Sequence, residues 1–360
     1  MRIRAVLSVI EAFAPPSLQE MWDNTGLQVG DAREECTGVL VCLDATEAVI
    51  REAAERGCNL VVSHHPLIFK GLKRLTGGST TERAVAEAVR LGVSVYSTHT
   101  ALDSTVGGIS YAMAEMLGLE AVRVLSPKEG TLTRVTAYVP RSSAEDAELA
   151  LLDIGSGQTR SVDGSEQRLD LEGGDVETGW GLIHEPLTAV SATVASWAVG
   201  GAVKALDGLG LGKMMSVNVE PLGDKSAELG LGLVARMRGD EGSLTMREFA
   251  SRVKQAFRLQ RLRLSSGIQP DTEVRTVALC GGSGGEFIRA AISAGADVYV
   301  TADIRYHDFV DYNSEICLMD VGHFESEICA KDIFYRLLTK KFPNFAVYKS
   351  ELEKNPVNYL

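Results

Sequence analysis

The residues best suited to chemistry are histidines and carboxylates that follow apolar, strand-like runs. The chain has only 6 histidines among 360 residues, yet the segment VVSHHPLIFKG places His64 and His65 side by side. Two further segments, STHTALD and DVGHFESE, also follow apolar runs and contribute His99, Asp103, His323 and Glu327. Imidazoles and carboxylates are ligands that proteins use for zinc and other transition metals. The three segments together therefore predict a metal site.

The paired histidines also have a plainer interpretation. A buried histidine is often a hydrogen-bonded part of a protein core, and His64 and His65 taken alone favour that interpretation. The position of the segments along the chain changes the balance, because ligands of open α/β sheets gather outside the carboxyl ends of the strands. All three segments follow predicted strands. His323 and Glu327 are also four residues apart, a spacing that puts two side chains on one face of a helix.

The number of ligands favours two metal ions. Three imidazoles and two carboxylates drawn from these six residues are more than one catalytic zinc ion normally uses. They suit two ions that share a bridging carboxylate and keep open positions for water. Two such ions, about 3.5–4 Å apart, can generate hydroxide and hold a phosphate or carbonyl group between them.

Other polar segments leave alternatives open. His307, in the segment TADIRYHDFVD, is predicted either as a general acid or base near the metals or, with equal weight, as a hydrogen-bonded loop residue. The segment CGGSGGE resembles a phosphate cradle at the start of a helix, and a tight strand-to-helix turn is at least as good an interpretation. His184 is predicted to lie on the surface. The segment WDNTGLQVG is predicted to be a loop capped by Asp23 and Asn24.

The elements that must position these residues alternate between strand and helix in the first and last parts of the chain. The continuous apolar run Thr37–Ala45 predicts a strand covered on both faces. The next segment, Thr46–Cys58, predicts an amphipathic helix with Thr46 as its N-cap and Gly57 as its stop. The last part of the chain repeats this alternation from VRTVALC onward. The predicted fold class is therefore α/β.

The middle of the chain has a different character. Two blocks, Thr133–Gly157 and Thr188–Gly210, each predict a strand followed by a helix, and a polar, glycine-rich segment separates them. This weak repeat predicts an inserted α+β domain. The predicted organisation is an N-terminal α/β half at residues 1–130, an insert at 131–223 and a C-terminal α/β half at 224–360.

Composition argues against several classes of protein. The formal net charge of −12 disfavours broad binding to nucleic acids or anionic membranes. The N-terminal apolar run is too short for a signal peptide. The apolar window Pro186–Leu206 is rich in small residues, and a strand followed by a helix fits it better than a membrane span. The 6 cysteines form no C-x-x-C pair, which indicates reduced thiols in a cytoplasmic protein.

Six motifs, in chain order, resemble those of the GTP cyclohydrolase 1 type 2 homolog family, the Nif-three-like proteins: WDNTGLQVG, SHHPLIF, THTALD, GGSGGEF, TADIRYHD and GHFESE. The resemblance covers nearly the whole chain. It implies two similar α/β halves that form one metal-binding unit, a PII-like insert and a ring-shaped homohexamer. It also implies two divalent ions per subunit, of Zn, Fe or Mn, held by the following ligands: His64, His65, Asp103, His323 and Glu327. Glu327 is the expected bridge.

Two functions of different kinds follow from this set. The first is a metal-dependent hydrolase that acts on a nucleotide or a related phosphorylated compound, with His307 or Glu327 assisting proton transfer. Opening of the GTP ring is the activity that the family name implies, although the motifs specify metal ions rather than guanine. The alternative is a non-enzymatic ring that binds or senses metal, or that serves as a scaffold.

Overall fold

The structure, a computed structural model, describes residues 1–156, 167–171, 176–178, 181–183, 187–212, 215–239 and 242–358. His184 lies outside the described residues. The chain divides into two compact units. The first unit combines Met1–Pro127 with Glu228–Leu360, and the second unit is Lys128–Ala227.

The first stretch of the first unit alternates short strands with helices. Its elements, in chain order, are α1 (Ile3–Phe13), β1 (Gly26–Val29), β2 (Val39–Cys42), α2 (Glu47–Glu55), β3 (Leu60–Ser63), α3 (Thr80–Leu91), β4 (Ser94–Ser97), α4 (His99–Asp103), α5 (Ile109–Met116) and β5 (Leu119–Pro127).

Local sequence explains where the helices of this stretch begin and end. The side chain of Thr46 accepts a hydrogen bond from the Val49 amide at the start of α2, as the sequence predicted. Gly57, just beyond the end of α2, has a φ of +71°, a conformation that glycine adopts without steric cost. Ser79 caps α3 in the same way, by accepting from the Glu82 amide.

The second unit is interposed at this point. Its elements are β6 (Leu132–Pro140), α6 (Ala144–Ser156), β7 (Gln167–Leu171), β8 (Val176–Thr178), β9 (Gly181–Ile183), β10 (Leu187–Ala195), α7 (Val199–Asp207) and β11 (Ser216–Pro221). Four strands form an antiparallel sheet in the order β11-β6-β10-β7, and β8 pairs with β9 as a separate hairpin. The succession β6-α6-β7 and β10-α7-β11 is the ferredoxin-like β-α-β-β-α-β arrangement.

The apolar window Pro186–Leu206 lies in this unit. It contains β10 and most of α7, the strand and helix that the sequence predicted. No helix within the described residues is long and apolar enough to cross a membrane.

The chain then returns to the first unit. The remaining elements are β12 (Gly230–Met237), β13 (Leu244–Thr245), α8 (Met246–Ala256), β14 (Arg263–Leu264), β15 (Glu273–Val274), β16 (Thr276–Ser283), α9 (Ile288–Ser293), β17 (Val298–Ala302), α10 (Tyr306–Tyr312), β18 (Cys317–Asp320), α11 (His323–Glu327), α12 (Ala330–Lys341) and β19 (Val347–Lys349).

Two main sheets organise the first unit. In the five-stranded sheet, of order β1-β4-β3-β2-β19, all strands except β1 run parallel. In the six-stranded sheet, of order β14-β18-β17-β16-β12-β5, the strands β16, β17 and β18 run parallel. Each sheet includes one strand from the other segment of the first unit. Strand β19, from the segment after the second unit, joins the five-stranded sheet, and β5, from the segment before it, joins the six-stranded sheet. The predicted α/β class is confirmed.

One hydrophobic cluster spans both sheets of the first unit. Strands β2, β3 and β4 are buried along their whole lengths, as expected of parallel strands covered on both faces. Tyr96 of β4 belongs to the same cluster as Leu279 of β16 and Phe334 of α12. Burial of this shared apolar surface supplies the main driving force that holds the two sheets together.

Phe334 tests how much the first unit depends on this cluster, because its side chain is fully buried. We expect Phe334→Ala to lower the free energy of unfolding by about 3–5 kcal/mol through lost burial and a residual cavity. The exposed Lys340, on the same helix, provides the control, and Lys340→Ala is expected to change that free energy by less than about 0.5 kcal/mol. Urea unfolding monitored by circular dichroism measures both, and equal effects would contradict the shared core.

Candidate metal centre

The paired histidines directly follow β3. Their amides continue the ladder beyond the strand, since His64 donates to the Cys42 carbonyl (3.2 Å) and His65 donates to the Leu43 carbonyl (2.9 Å). The His64 carbonyl accepts from the His99 amide (2.9 Å), one strand further along the sheet. The two rings are 5.0 Å apart between centroids and tilted by 47°. Their backbones are thus fixed by the sheet while the rings diverge.

The segment after β4 is helical rather than a loop. The sequence predicted a strand that runs into a loop, whereas His99–Asp103 form the short helix α4. Five residues are too few to give a helical periodicity that the sequence could reveal. One turn of helix brings Asp103 to His64, with 3.7 Å between Asp103 Oδ1 and His64 Nε2.

Glu327 lies at the centre of the site. Helix α11 puts His323 and Glu327 on one face, as the spacing predicted, with His323 Nε2 3.0 Å from Glu327 Oε2. His65 Nε2 lies 2.8 Å from the same oxygen, and His64 Nε2 lies 3.6 Å from Oε1. One ligand atom from each of His64, His65 and Glu327 lies within 4.8 Å of the others. This group can hold a metal ion.

Polar atoms without partners show that these residues fit a metal ion. The His64 side chain is 0% exposed, and neither of its ring nitrogens has a hydrogen-bond partner among the described residues. Asp103 Oδ1 is likewise buried and unpartnered in the described part of the chain. Buried polar atoms nearly always have partners. An imidazole nitrogen and a carboxylate oxygen that face each other at 3.7 Å would both be satisfied by a cation between them.

Two aspartates hold the outer nitrogens of the other histidines. Asp44 Oδ1 lies 2.8 Å from His65 Nδ1, and Asp303 Oδ2 lies 2.7 Å from His323 Nδ1. A carboxylate at Nδ1 fixes the ring orientation and leaves Nε2 directed at the site, as is common around metal-ligating histidines. Sequence analysis assigned no such role to either aspartate. The signal for Asp44 was its place just after the buried strand β2, the same position that the histidines take after β3.

His99 lies beside the centre, and its ring pairs with the carboxylate of Asp23. Its ring centroid is 5.7 Å from that of His64 and 5.8 Å from that of His65, and its Nδ1 is 2.6 Å from Asp23 Oδ1. Burial raises the pKa of Asp23, but hydrogen bonds from His99 and Thr100 outweigh it and hold that pKa near about 2. Asp23 therefore ties the loop before β1 to the start of α4, a longer-range role than the predicted loop cap.

Burial and neighbouring charges shift the pKa values of the central groups in different directions. Burial, and then the negative charge of Glu327, raise the pKa of Asp103 well above its usual value. Burial also raises the pKa of Glu327, but the three surrounding imidazoles outweigh it and hold this pKa well below its usual value. For His65, burial lowers the pKa, and hydrogen bonds to two carboxylates outweigh burial and raise it to about 10. Protons and metal ions compete for these same imidazole nitrogens.

The glycine-rich segment CGGSGGE gives Glu327 its space. Strand β16 continues through Gly281 and Gly282 to Ser283, so the segment is not simply a turn between strand and helix. A Cβ atom at Gly282 would lie 2.1 Å from Glu327 Oε1, and a Cβ atom at Gly281 would lie 2.3 Å from Ile109 Cγ2. Glycine is therefore required beside the carboxylate for steric reasons.

His307 takes a different position from the other predicted site residues. It lies on α10, is exposed, and its ring contacts that of Tyr306 at 5.5 Å between centroids. The described group of potential metal ligands does not include it. Its role in proton transfer stays a prediction.

Comparisons with known proteins agree over the whole chain. The family model described as Duf34/NIF3 (NGG1p interacting factor 3) matches residues 1–356. A GTP cyclohydrolase 1 type 2 homolog from Staphylococcus epidermidis (strain ATCC 12228 / FDA PCI 1200) is 27% identical over 378 residues, which cover 100% of both chains. The protein of that name from Mycobacterium tuberculosis (strain ATCC 25618 / H37Rv) is 30% identical over 342 residues, or 91% of this chain and 88% of the relative.

A solved structure has the same fold. The structure of a Bacillus cereus protein related to NIF3 superposes with a TM-score of 0.83 at 28% identity, and covers 100% of this chain and 99% of that one. Because the family model spans residues 1–356, this chain belongs to the Duf34/NIF3 family.

Proposed function

We propose that the protein is a metal-dependent hydrolase that holds two divalent ions and acts on a nucleotide or a related phosphorylated compound. The proposed ligands are His64, His65, Asp103, His323 and Glu327. The observation that carries this proposal is the fully buried His64 ring, whose nitrogens have no hydrogen-bond partner among the described residues. A buried imidazole in that condition faces two carboxylates at 3.6 and 3.7 Å, which is an arrangement suited to a cation.

The positions of the ligands support two ions rather than one. His64 and Asp103 form one side of the group, while His65 and His323 form the other. Glu327 contacts both sides, because its Oε1 faces His64 and its Oε2 faces the other two histidines. We therefore assign Glu327 as the bridge. The chemistry that such a pair of ions supplies is activation of water and polarisation of the attacked phosphoryl or carbonyl group.

The remaining roles belong to groups of the chain itself. Asp44 and Asp303 orient His65 and His323 and fix their tautomers. Glu327, and His307 if the substrate extends toward α10, are the proposed groups for proton transfer. The relatives' name, GTP cyclohydrolase 1 type 2 homolog, makes GTP the first compound to examine.

The surroundings of the site are part of the same proposal. We propose that the subunits form a homohexameric ring and that the second unit is a PII-like insert, which its ferredoxin-like strand order supports. We also place the protein in the cytoplasm. Its six cysteines, all in the described part of the chain, are buried and unbridged, which suits a reducing compartment.

Metal content tests the dinuclear site directly. The wild-type protein, reconstituted with Mn, Fe or Zn and freed of excess ions, should contain about two ions per subunit. The double variant His65→Ala with His323→Ala should lose at least one of them, because it removes two ligands from one side of the group. Elemental analysis by mass spectrometry gives the count, and His307→Ala serves as the control that keeps its metal. A double variant that holds as much metal as the wild type would refute the dinuclear proposal.

Gly282→Ala tests the same site without removing a ligand. The new methyl group would crowd Glu327 Oε1, and we expect metal affinity to fall about 10–100-fold, the range seen when a ligand's supports are disturbed. Gly295→Ala is the matched control, because Gly295 also has a positive φ (+71°) and nothing within 4 Å of its Cβ position. Metal titration followed by competition with a chelator measures both. Equal losses in the two variants would point to backbone strain alone.

Turnover separates an enzyme from a metal-binding scaffold. The metal-loaded protein should convert GTP or another nucleotide in a chromatographic screen, and His64→Ala or Glu327→Ala should reduce kcat at least about 100-fold. We set this bound because loss of a ligand's supporting partner alone lowers metal affinity or activity about 10–100-fold. The exposed variant Lys340→Ala should retain activity. Stoichiometric metal without turnover across a broad screen would instead favour a metal-sensing or scaffold protein.

A further inference from the structure

A cavity of about 660 Å³ adjoins the metal centre. His65 and His323 line it, together with Arg261, Arg263 and Phe324. Sites for small molecules commonly have volumes of about 300–1,000 Å³ and combine apolar walls with a few polar groups. The cavity is therefore large enough for a substrate whose reacting group lies at the two histidines.

Most charged side chains that line this cavity already have a partner. The pairs are Asp303 with His323 (2.7 Å), Asp44 with His65 (2.8 Å), Asp320 with Arg263 (2.7 Å) and Glu325 with Asn355 (2.8 Å). Arg263 is further held by the Ile304 carbonyl, which accepts from its guanidinium at 3.0 Å. Three of these carboxylates thus face an imidazole or a guanidinium, and the fourth, Glu325, accepts a hydrogen bond from a neutral amide.

Arg261 differs from the other charged groups of the cavity. Its side chain is exposed, and within the described residues no carboxylate or carbonyl pairs with its guanidinium. A guanidinium whose donors have no partner among the described residues, at the wall of a cavity, is available to an anionic ligand. Arg261 is therefore the cationic group of this wall that has no partner among the described residues.

A second arginine lies next to Arg261 in an unfavourable backbone conformation. Arg258 follows α8 with a φ of +55°, in a turn where the Leu259 amide donates to the Lys254 carbonyl (2.8 Å). Helix ends of this kind usually have glycine at the left-handed position, because other residues pay a steric cost there. Arg258 and Arg261 both line a smaller cavity of about 240 Å³, which shares Arg261, Glu325, Asn355 and Val357 with the larger one.

We propose that Arg261, with Arg258 beside it, binds the phosphate group of the substrate and thereby selects for phosphorylated small molecules. The proposal rests on the hydrolase function proposed above, since it names the end of the substrate that the metal centre does not hold. The planar guanidinium presents paired donors that match phosphate oxygens. A substrate that spans from Arg261 to His65 and His323 would carry its phosphate at one end and its reacting bond at the other.

Inorganic pyrophosphate is the probe that tests this proposal. Its affinity for the full chain is measured by calorimetry at constant ionic strength, first with the protein as purified and then after chelator treatment. Arg261→Ala should weaken binding about tenfold or more in both states, because a hydrogen-bonded charge pair is lost. The affinity of Arg261→Lys should lie between those of the wild type and Arg261→Ala, since lysine keeps the positive charge and lacks the paired donors of the guanidinium. The control is Arg247→Ala, an exposed arginine of α8 outside the cavity wall, which should leave binding unchanged.

Arg258→Gly provides a second variant whose effects on stability and binding should have opposite signs. Glycine fits the left-handed position, so the melting temperature should rise, while pyrophosphate binding should weaken because a cation is lost. A variant that merely disturbed the fold would lower both. A rise in melting temperature with unchanged pyrophosphate affinity would remove Arg258 from the proposed site.

The outcomes separate this proposal from the hydrolase proposal. Equal pyrophosphate affinity in the wild type and in Arg261→Ala would overturn the phosphate site, even if nucleotide turnover were found. Malonate that binds as tightly as pyrophosphate would overturn the selection for phosphate. Arg261-dependent binding of pyrophosphate without any metal-dependent turnover would support the phosphate site and refute the hydrolase. An increase in KM of about tenfold in Arg261→Ala, with kcat nearly unchanged, would support both.

Discussion

The candidate site of the first unit depends on a single buried carboxylate. Glu327 is 4% exposed, and an isolated charge at such a place would cost several kcal/mol. Three imidazole nitrogens within 3.6 Å of its oxygens offset that cost. Because those histidines come from two sheets, the carboxylate can be stable only when β3 and α11 meet. Glycines at 281 and 282, and the aspartates behind two of the histidines, serve the same requirement by giving space and orientation.

The charges around the centre are arranged from inside to outside. The inner groups are imidazoles and carboxylates, among which His64 and Asp103 Oδ1 have no hydrogen-bond partner in the described part of the chain. The next layer is two aspartates that hold the outer ring nitrogens of His65 and His323. Beyond them the cavity wall ends in an arginine without a partner among the described residues.

Local patterns in the sequence predicted the strands and helices that carry the site. They could not predict the tertiary contacts between those elements. The H-x-x-x-E spacing predicted that His323 and Glu327 share a helical face, and the apolar runs predicted the buried strands that end at His64 and before His99. Asp44 and Asp303 could not be assigned as orienting groups, because a strand-end aspartate looks the same whether or not an imidazole faces it. The steric role of Gly282 was equally hidden, since its neighbour Glu327 is remote in the chain. Helix α4 was too short for any periodicity to identify it.

Strand β19 has a consequence for how the molecule forms. It pairs with β2 through Val347 and Val39, so the first sheet is completed by a strand that is remote from β2 in the chain. Contacts between such distant residues carry a large loop-closure entropy and form slowly. Until then β2 has an open edge, and α11 has not yet delivered its histidine and glutamate. A chain synthesised only as far as β4 therefore has the paired histidines without the groups that complete their site, so that the centre can assemble only after α11 has been synthesised.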